Sequence, residues 1–552
     1  MLPNGGYESP KIRVLKIAVW FLIQFIYSNN NDIMREQGNE KITKKITLLI
    51  LIGLSLSAHN LIAQPVNLSQ EQVVKFAQQS FPEYLQLLSI PSDSVVPADI
   101  QKTAEFIATA FQKRDFSTKL LENQGKPMVF AEFKKRVPGA KTILFYMHMD
   151  SQPVVPAEWS QADPWKPVIK SKNAAGKWVE VPLDRIYAKN VDPDLRFFGR
   201  STSDDKGPIM MFLAAFDALN AQGALPAINV KVIIDSEEEK GSPSIKAVVS
   251  AHQQLLKSDG IVIFDGPRHA SERPTLIFGN RGNTRTTLIV YGPKAPLHSG
   301  HYGNYVPNPA MRLAQLLASM KDDNGKVLVA GYYDKISLTP EEKAVLQETG
   351  DDESAIRKRV GIAKAETVGA TYQEALQYPS LNIRGMAAAS IGAKASNVIP
   401  YTATAELDLR TTPETPPIYL FERITEHIKK QGYHLLAAEP TDEERATYDK
   451  LATYKMGTGG KAVRTPMNDP LGIWAFTAMK NAPQNNGKNP VRIRMMGGSV
   501  PTDSLVEGLS APFVIMPLVN GDNNQHSFDE NLRMGHYLEG IQSIVELVKT
   551  PS

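Results

Sequence analysis

The 552-residue chain contains no cysteine. Disulfides, thiolate metal ligands and a cysteine nucleophile are thereby excluded. Any bound metal must be held by His, Asp or Glu. Excess charge of one sign is lacking too, since 61 Lys and Arg face 58 Asp and Glu for a net +3. That argues against nucleic acid or a membrane surface as the main partner. No internal repeat or low-complexity tract stands out. What is present is ordinary for a folded soluble protein: 42% hydrophobic and 22% charged residues. The length exceeds what one core usually organises, so two or more domains are expected.

Residues 1–65 read as targeting rather than fold. Lys44 and Lys45 precede an apolar run at 46–56, and Leu61-Ile62-Ala63 offers a small-residue cleavage point. That order predicts a signal peptide at about 34–63, and with it a secreted or periplasmic protein. The run is short for a membrane span, so an uncleaved N-terminal anchor is the lesser alternative. Met34, just before the charged stretch, is a candidate start that would leave the earlier apolar patch at 17–27 outside the product.

Beyond this segment strands and helices alternate. Residues 142–147, 229–234, 261–264 and 513–516 are short apolar runs that read as buried strands, and 207–221 has helical spacing. The pattern predicts an α/β fold with a mixed sheet flanked by helices. The middle differs. Strands are expected at 286–291 and 402–409, helices at 309–321 and 418–430, and a short strand ending near 436. Residues 322–380 are charged and irregular. These features predict a smaller α+β domain at 286–440, inserted into a catalytic domain made of 66–285 and 441–552.

Chemistry-bearing residues cluster after the strands. His148 and Asp150 follow the first one, and alternation points both the same way. Asp204 and Asp205 precede a glycine that opens a helix; the bland alternative is helix capping. Glu237, Glu238 and Glu239 follow the strand ending at Asp235. Such a run is usually just solvated, but here it lies where ligands bind in open α/β sheets. Asp265 ends another strand in an Asp-Gly pair that could be simple turn chemistry, and His526 sits in a late polar loop. Taken singly each is weak. Jointly they can converge on one rim of the sheet, with enough His and carboxylate ligands for two divalent ions that share a bridging carboxylate.

At this point the motifs resemble a known family, the co-catalytic zinc peptidases that include carnosinase, carboxypeptidase G, aminoacylase and succinyl-diaminopimelate desuccinylase. The resemblance covers essentially the whole chain after the leader, and is greatest to the carnosinase-like dipeptidase branch. Its carriers, in order, are His148-Met149-Asp150-Ser151-Gln152-Pro153, Asp204-Asp205-Lys206-Gly207, Glu238-Glu239-Lys240-Gly241-Ser242, Leu297-His298-Ser299-Gly300, Asn397-Val398-Ile399-Pro400 with Arg410, and Gly497-Gly498-Ser499.

The resemblance implies two divalent ions, zinc first, with cobalt or manganese compatible. Asp204 would bridge them, His148 and Asp265 would complete one site, and Glu239 and His526 the other. It makes Glu238 the general base that takes a proton from the metal-bridging water and delivers it to the leaving amine. Asp150 would orient His148. His298 would stabilise the oxyanion across a homodimer formed through the inserted domain. Arg410 and Asn397 would bind the substrate's carboxylate and backbone, with Gly498 and Ser499 lining the pocket. Asp at 265, rather than Glu, resembles the aminopeptidases and dipeptidases. Two departures stand out. The usual Gly-Arg-Gly is Gly199-Arg200-Ser201, and Arg494-Met495-Met496 replaces an acidic residue beside an Arg.

The expected activity is therefore a metal-dependent dipeptidase. An N-acyl amino acid deacylase with the same metals is the alternative, and a non-catalytic binding protein on this scaffold is the rival from another class. His301 reads as a loop residue rather than a ligand. Residues 457–461 fail the phosphate-loop spacing, and Gly-Gly-Ser is not a nucleophile elbow.

Overall fold

The computed structural model describes residues 68–483, 489–498 and 503–552. The expected leader at 34–63 and Ser499 lie outside the described residues. Among the described residues the larger sheet has eight strands. Three central ones, Asn229–Asp235, Thr142–His148 and Gly260–Ile263, run parallel and adjacent. Phe513–Ile515 continues the parallel set beside Gly260–Ile263. Antiparallel hairpin strands Phe116–Leu121 and Met128–Phe133 close one edge, and Thr275–Ile277 with Val491–Ile493 closes the other.

These strands are apolar on both faces because helices cover both. In Thr142–His148, Ile143, Phe145 and Met147 enter one core while Leu144 and Tyr146 enter the other. Helix Lys206–Ala221 is buried nearly all round, between the sheet and helices Gln70–Leu88 and Met534–Lys549. That explains why its sequence is apolar on every side. Gly207 opens this helix against the Thr202 carbonyl and the Leu532 side chain, and a Cβ there would collide with both. Among the described residues, no helix is long and apolar enough to cross a membrane.

The second sheet has five strands in the order Ser380–Ala387, Thr402–Thr411, Gly282–Tyr291, Leu451–Met456, His434–Leu435. Thr402–Thr411 alternates strictly, with Ala403, Ala405, Leu407 and Leu409 packed against helices Pro309–Ala318 and Pro417–Lys430. The architecture is thus a mixed α/β domain carrying a smaller α+β insertion. The smaller sheet extends beyond the expected edge at 440, because Leu451–Met456 pairs with Gly282–Tyr291. The stretch at 322–380 is less irregular than its charge suggests, since it forms helices Pro340–Glu348 and Glu353–Val360. Arg494 donates to Glu342 at 2.7 Å and Arg492 to Glu348 at 2.9 Å, which fastens this stretch to the edge strand of the larger sheet.

Candidate metal centre

Three parallel strands deliver their side chains to one rim. His148 ends its strand opposite Asp235 in the neighbour, and Asp265 follows the next strand along. Asp204 comes from the loop that opens helix Lys206–Ala221, and His526 from the loop ahead of strand Asn531–Arg533. The structure gathers five of these residues into two sets, His148–Asp204–Asp265 and Asp204–Glu239–His526. Within each set one ligand atom per residue lies within 4.8 Å of the others. Asp204 belongs to both. Its Oδ1 lies 2.9 Å from His148 Nε2 and its Oδ2 3.1 Å from His526 Nε2. His526 Nε2 is also 3.0 Å from Glu239 Oε2, which accepts a further bond from Gln152 Nε2 at 2.7 Å.

The run of three acids is divided among three directions. Glu237 turns away and pairs with Lys126 and with Asn123, whose amide is 3.0 Å distant. Burial would raise its pKa, but those partners hold it below the ordinary value. Glu239 faces His526. Glu238 faces the cavity, where burial and the negative charges of Asp265, Asp204 and Glu239 push its carboxyl well above the usual range. Asp235 anchors the turn, accepting from Tyr146 Oη at 2.9 Å and from the Glu237 backbone at 3.0 Å. Asp205 stands at the helix N-cap without capping it, and its carboxylate accepts the His148 backbone N–H at 3.2 Å.

The centre is short of positive charge. Burial pushes the Asp265 carboxyl up to about 6, aided by Asp204 and Glu239 and opposed by His148. Hydrogen bonds to Asp204 and Glu239 raise the His526 imidazole to about 10. Burial disfavours the His148 cation, yet Asp150 and Asp204 carry its pKa well above the ordinary range. The imidazoles thus hold protons because the crowded carboxylates need cations. Two imidazoles and two carboxylates around a shared aspartate suit divalent ions that take mixed nitrogen and oxygen ligands.

A cavity of about 430 Å³ opens on Asp204, Glu238, Asp265 and His526. Gly497 and Gly498 line it, with Ile277, Ile493 and Met496 from the larger domain. Asp351, Ile356, Arg359, Tyr372 and Leu376 form an opposite wall that the sequence pattern did not single out. His269 Nε2 meets Asp351 at 3.0 Å and ties that wall down.

The structure does not bring His298, Asn397 or Arg410 into this lining. His298 is exposed, in a two-strand bridge with Val398–Ile399, and its Nδ1 accepts the Gly300 N–H at 3.0 Å. His301 lies in the short helix Ser299–Tyr302, its ring 4.7 Å from that of His298. Asn397 is exposed, and Arg410 Nε stands 3.5 Å from Asp408.

Both departures from the family pattern have a structural setting. Ser201 occupies the left-handed region, with φ 64°, where glycine is the easy choice. Arg494 finds its acidic partner in Glu342 of the insertion instead of beside it in sequence. The sequence pattern also passed over Glu530, which is fully buried and accepts the Asp204 backbone N–H at 3.0 Å.

A model of the family "Peptidase family M20/M25/M40" matches residues 144–550. A Cys-Gly metallodipeptidase of Schizosaccharomyces pombe is 26% identical over 471 residues, spanning 82% of this chain and 91% of that protein. A mouse Beta-Ala-His dipeptidase is 26% identical over 421 residues, spanning 75% and 77%. Among solved structures, an M20 family metallo-carboxypeptidase from Sulfolobus solfataricus superposes with a TM-score of 0.64 at 25% identity, covering 86% of this chain and 99% of that one.

Proposed function

Because the chain belongs to peptidase family M20/M25/M40, we propose that it is a metal-dependent dipeptidase acting on short peptides with a free carboxylate. The observation that carries this is the pair of three-residue ligand sets sharing Asp204, with Glu238 facing the same cavity. The dipeptidases among its relatives support the substrate class. His148, Asp204 and Asp265 would hold one divalent ion and Asp204, Glu239 and His526 another, zinc first. When bound, such ions supply Lewis acidity that polarises the scissile carbonyl and acidifies water.

The chain's own residues do the rest. Glu238, ionised once the crowding of like charges is relieved, accepts a proton from the attacking water. Water oxygen bonds to the carbonyl carbon, the C–N bond breaks, and Glu238 returns the proton to the departing amine. Asp150 keeps Glu238 in place through the main chain. The apolar floor of Ile277, Ile493 and Met496 would receive a side chain, and Arg359 at the cavity wall would attract the carboxylate. His298, Asn397 and Arg410 would join from a partner copy or after domain closure, since all three stand off the cavity in one chain. Export through the leader at 34–63 is part of the same proposal.

The test is a panel of dipeptides and N-acetyl amino acids, each with and without chelator. Chelator-sensitive cleavage of dipeptides is expected. Preference for the acylated amino acids would replace the dipeptidase with the deacylase, and no chelator effect would remove the metal mechanism.

A further inference from the structure

We propose that Glu530 is a positioning residue: paired with Arg200, it holds Asp204 and the His526 loop in metal-binding register. The inference rests on the metal-dependent function above. Glu530 is fully buried, yet among the described residues its carboxylate hydrogen bonds go to a single loop, 200–204. Its Oε1 accepts the Ser203 N–H at 2.9 Å, the Ser203 hydroxyl at 2.9 Å and the Asp204 N–H at 3.0 Å. Its Oε2 accepts the Ser201 N–H at 3.0 Å and Arg200 Nη1 at 2.9 Å.

Arg200 passes the restraint outward. Its Nη2 donates to the Ser527 carbonyl at 3.0 Å and the Pro153 carbonyl at 3.4 Å, and the Trp159 ring lies 5.1 Å from the guanidinium. Ser527 follows His526, and Pro153 ends the segment that begins at His148. One buried ion pair therefore touches the loops behind Asp204, His526 and His148. Packing alone does not account for a carboxylate here. An apolar residue would leave three backbone N–H groups without acceptors and the buried guanidinium without its counter-charge. The arrangement instead matches the hydrogen-bonded shell that fixes metal-ligating side chains.

The experiment measures zinc dissociation constants of the full chain by chelator competition, with circular dichroism of the metal-free protein. Glu530→Gln is expected to weaken zinc binding by about 10- to 100-fold, the range for lost supporting groups around a metal. Saturating zinc should restore much of its kcat, which a general disruption would not allow. Ser203→Ala, which removes one donor and no charge, should weaken zinc in the same direction but less. Asp217→Asn breaks a remote ion pair with Arg114, 2.8 Å long, and should lower the melting temperature with zinc affinity unchanged. Unaltered zinc affinity in folded Glu530→Gln, beside a wild type that binds two ions, overturns the inference. Should that variant fail to fold, unaltered affinity in Ser203→Ala overturns it equally. A wild-type chain that binds no zinc, cobalt or manganese would instead bring down the functional proposal itself, and this inference with it.

Discussion

The Asp150 carboxylate accepts the backbone N–H of Glu238 at 2.9 Å. Its second oxygen accepts the Glu239 N–H at 3.1 Å. The same residue reaches His148 Nδ1 through its main-chain carbonyl at 3.1 Å, with its carboxylate 3.5 Å away. Asp150 therefore aims the proposed base and one ligand as well as the imidazole. Asp150→Asn retains the shape but replaces one acceptor with an amide that repels a backbone N–H. A fall in kcat of about 10- to 100-fold is expected, with zinc binding also weakened. Steady-state kinetics with normal kcat would show that the turn holds itself.

Glu238→Gln removes the proton acceptor and no ligand. Turnover should drop by about 10²- to 10⁴-fold while two ions remain bound, the usual contribution of a positioned base. Metal content and kcat measured on one preparation decide this. Loss of both together would make Glu238 a ligand instead.

Metal loading should release protons. In the metal-free centre His526 holds its proton up to a pKa of about 10. A cation binding there below that pH must displace it, so apparent affinity rises with pH and falls on acidification. Calorimetry at pH 7 in buffers of different ionisation enthalpy reads the proton count. Heats identical in all buffers would contradict it. Chelation should abolish activity, and zinc, cobalt or manganese should restore it.

His298 lies off the cavity of its own chain. If it serves the partner's site, neither Glu238→Gln nor His298→Ala alone is active, yet their mixture regains activity after subunit exchange. A mixture as inactive as its parents, or a fully active monomer, would confine catalysis to one chain.

Phe212→Ala addresses the platform beneath the centre. Phe212 is fully buried on the helix that follows Asp204, against Phe111, Phe116, Phe145, Phe216 and Phe264. The cavity left behind should cost about 3–5 kcal/mol in a denaturant titration.

Most of the candidate metal cluster was legible because four of its five proposed ligands stand close to a strand or helix whose own pattern is strong. His148, Asp204, Glu239 and Asp265 are local in that sense, and the order of the parallel strands, with the helix that follows Asp204 packed on them, brings them together. Glu530 was not legible. It lies four residues after His526 in a polar loop, and its worth depends on Arg200, 330 positions away. The cavity wall from Asp351 to Leu376 was hidden for another reason. Its Asp351 pairs with His269 of the larger domain, a long-range contact that hydropathy, which reads the stretch as solvated surface, does not show. The late strand Leu451–Met456 was missed because its pairing with Gly282–Tyr291 bridges the whole insertion. Separate short motifs fixed the candidate site, whereas its supports are long-range contacts that leave no local pattern.

The loop carrying His526 arrives roughly 380 residues after His148. At about 5–20 residues per second, a ribosome needs on the order of 20 s to a minute to cover that interval. Strand Phe513–Ile515, which lies beside the strand leading to Asp265, is equally late. The second proposed ligand set therefore stays incomplete until His526 itself has been made. On the proposed mechanism, such a peptidase gains hydrolytic capacity only after the loop carrying His526 has left the ribosome.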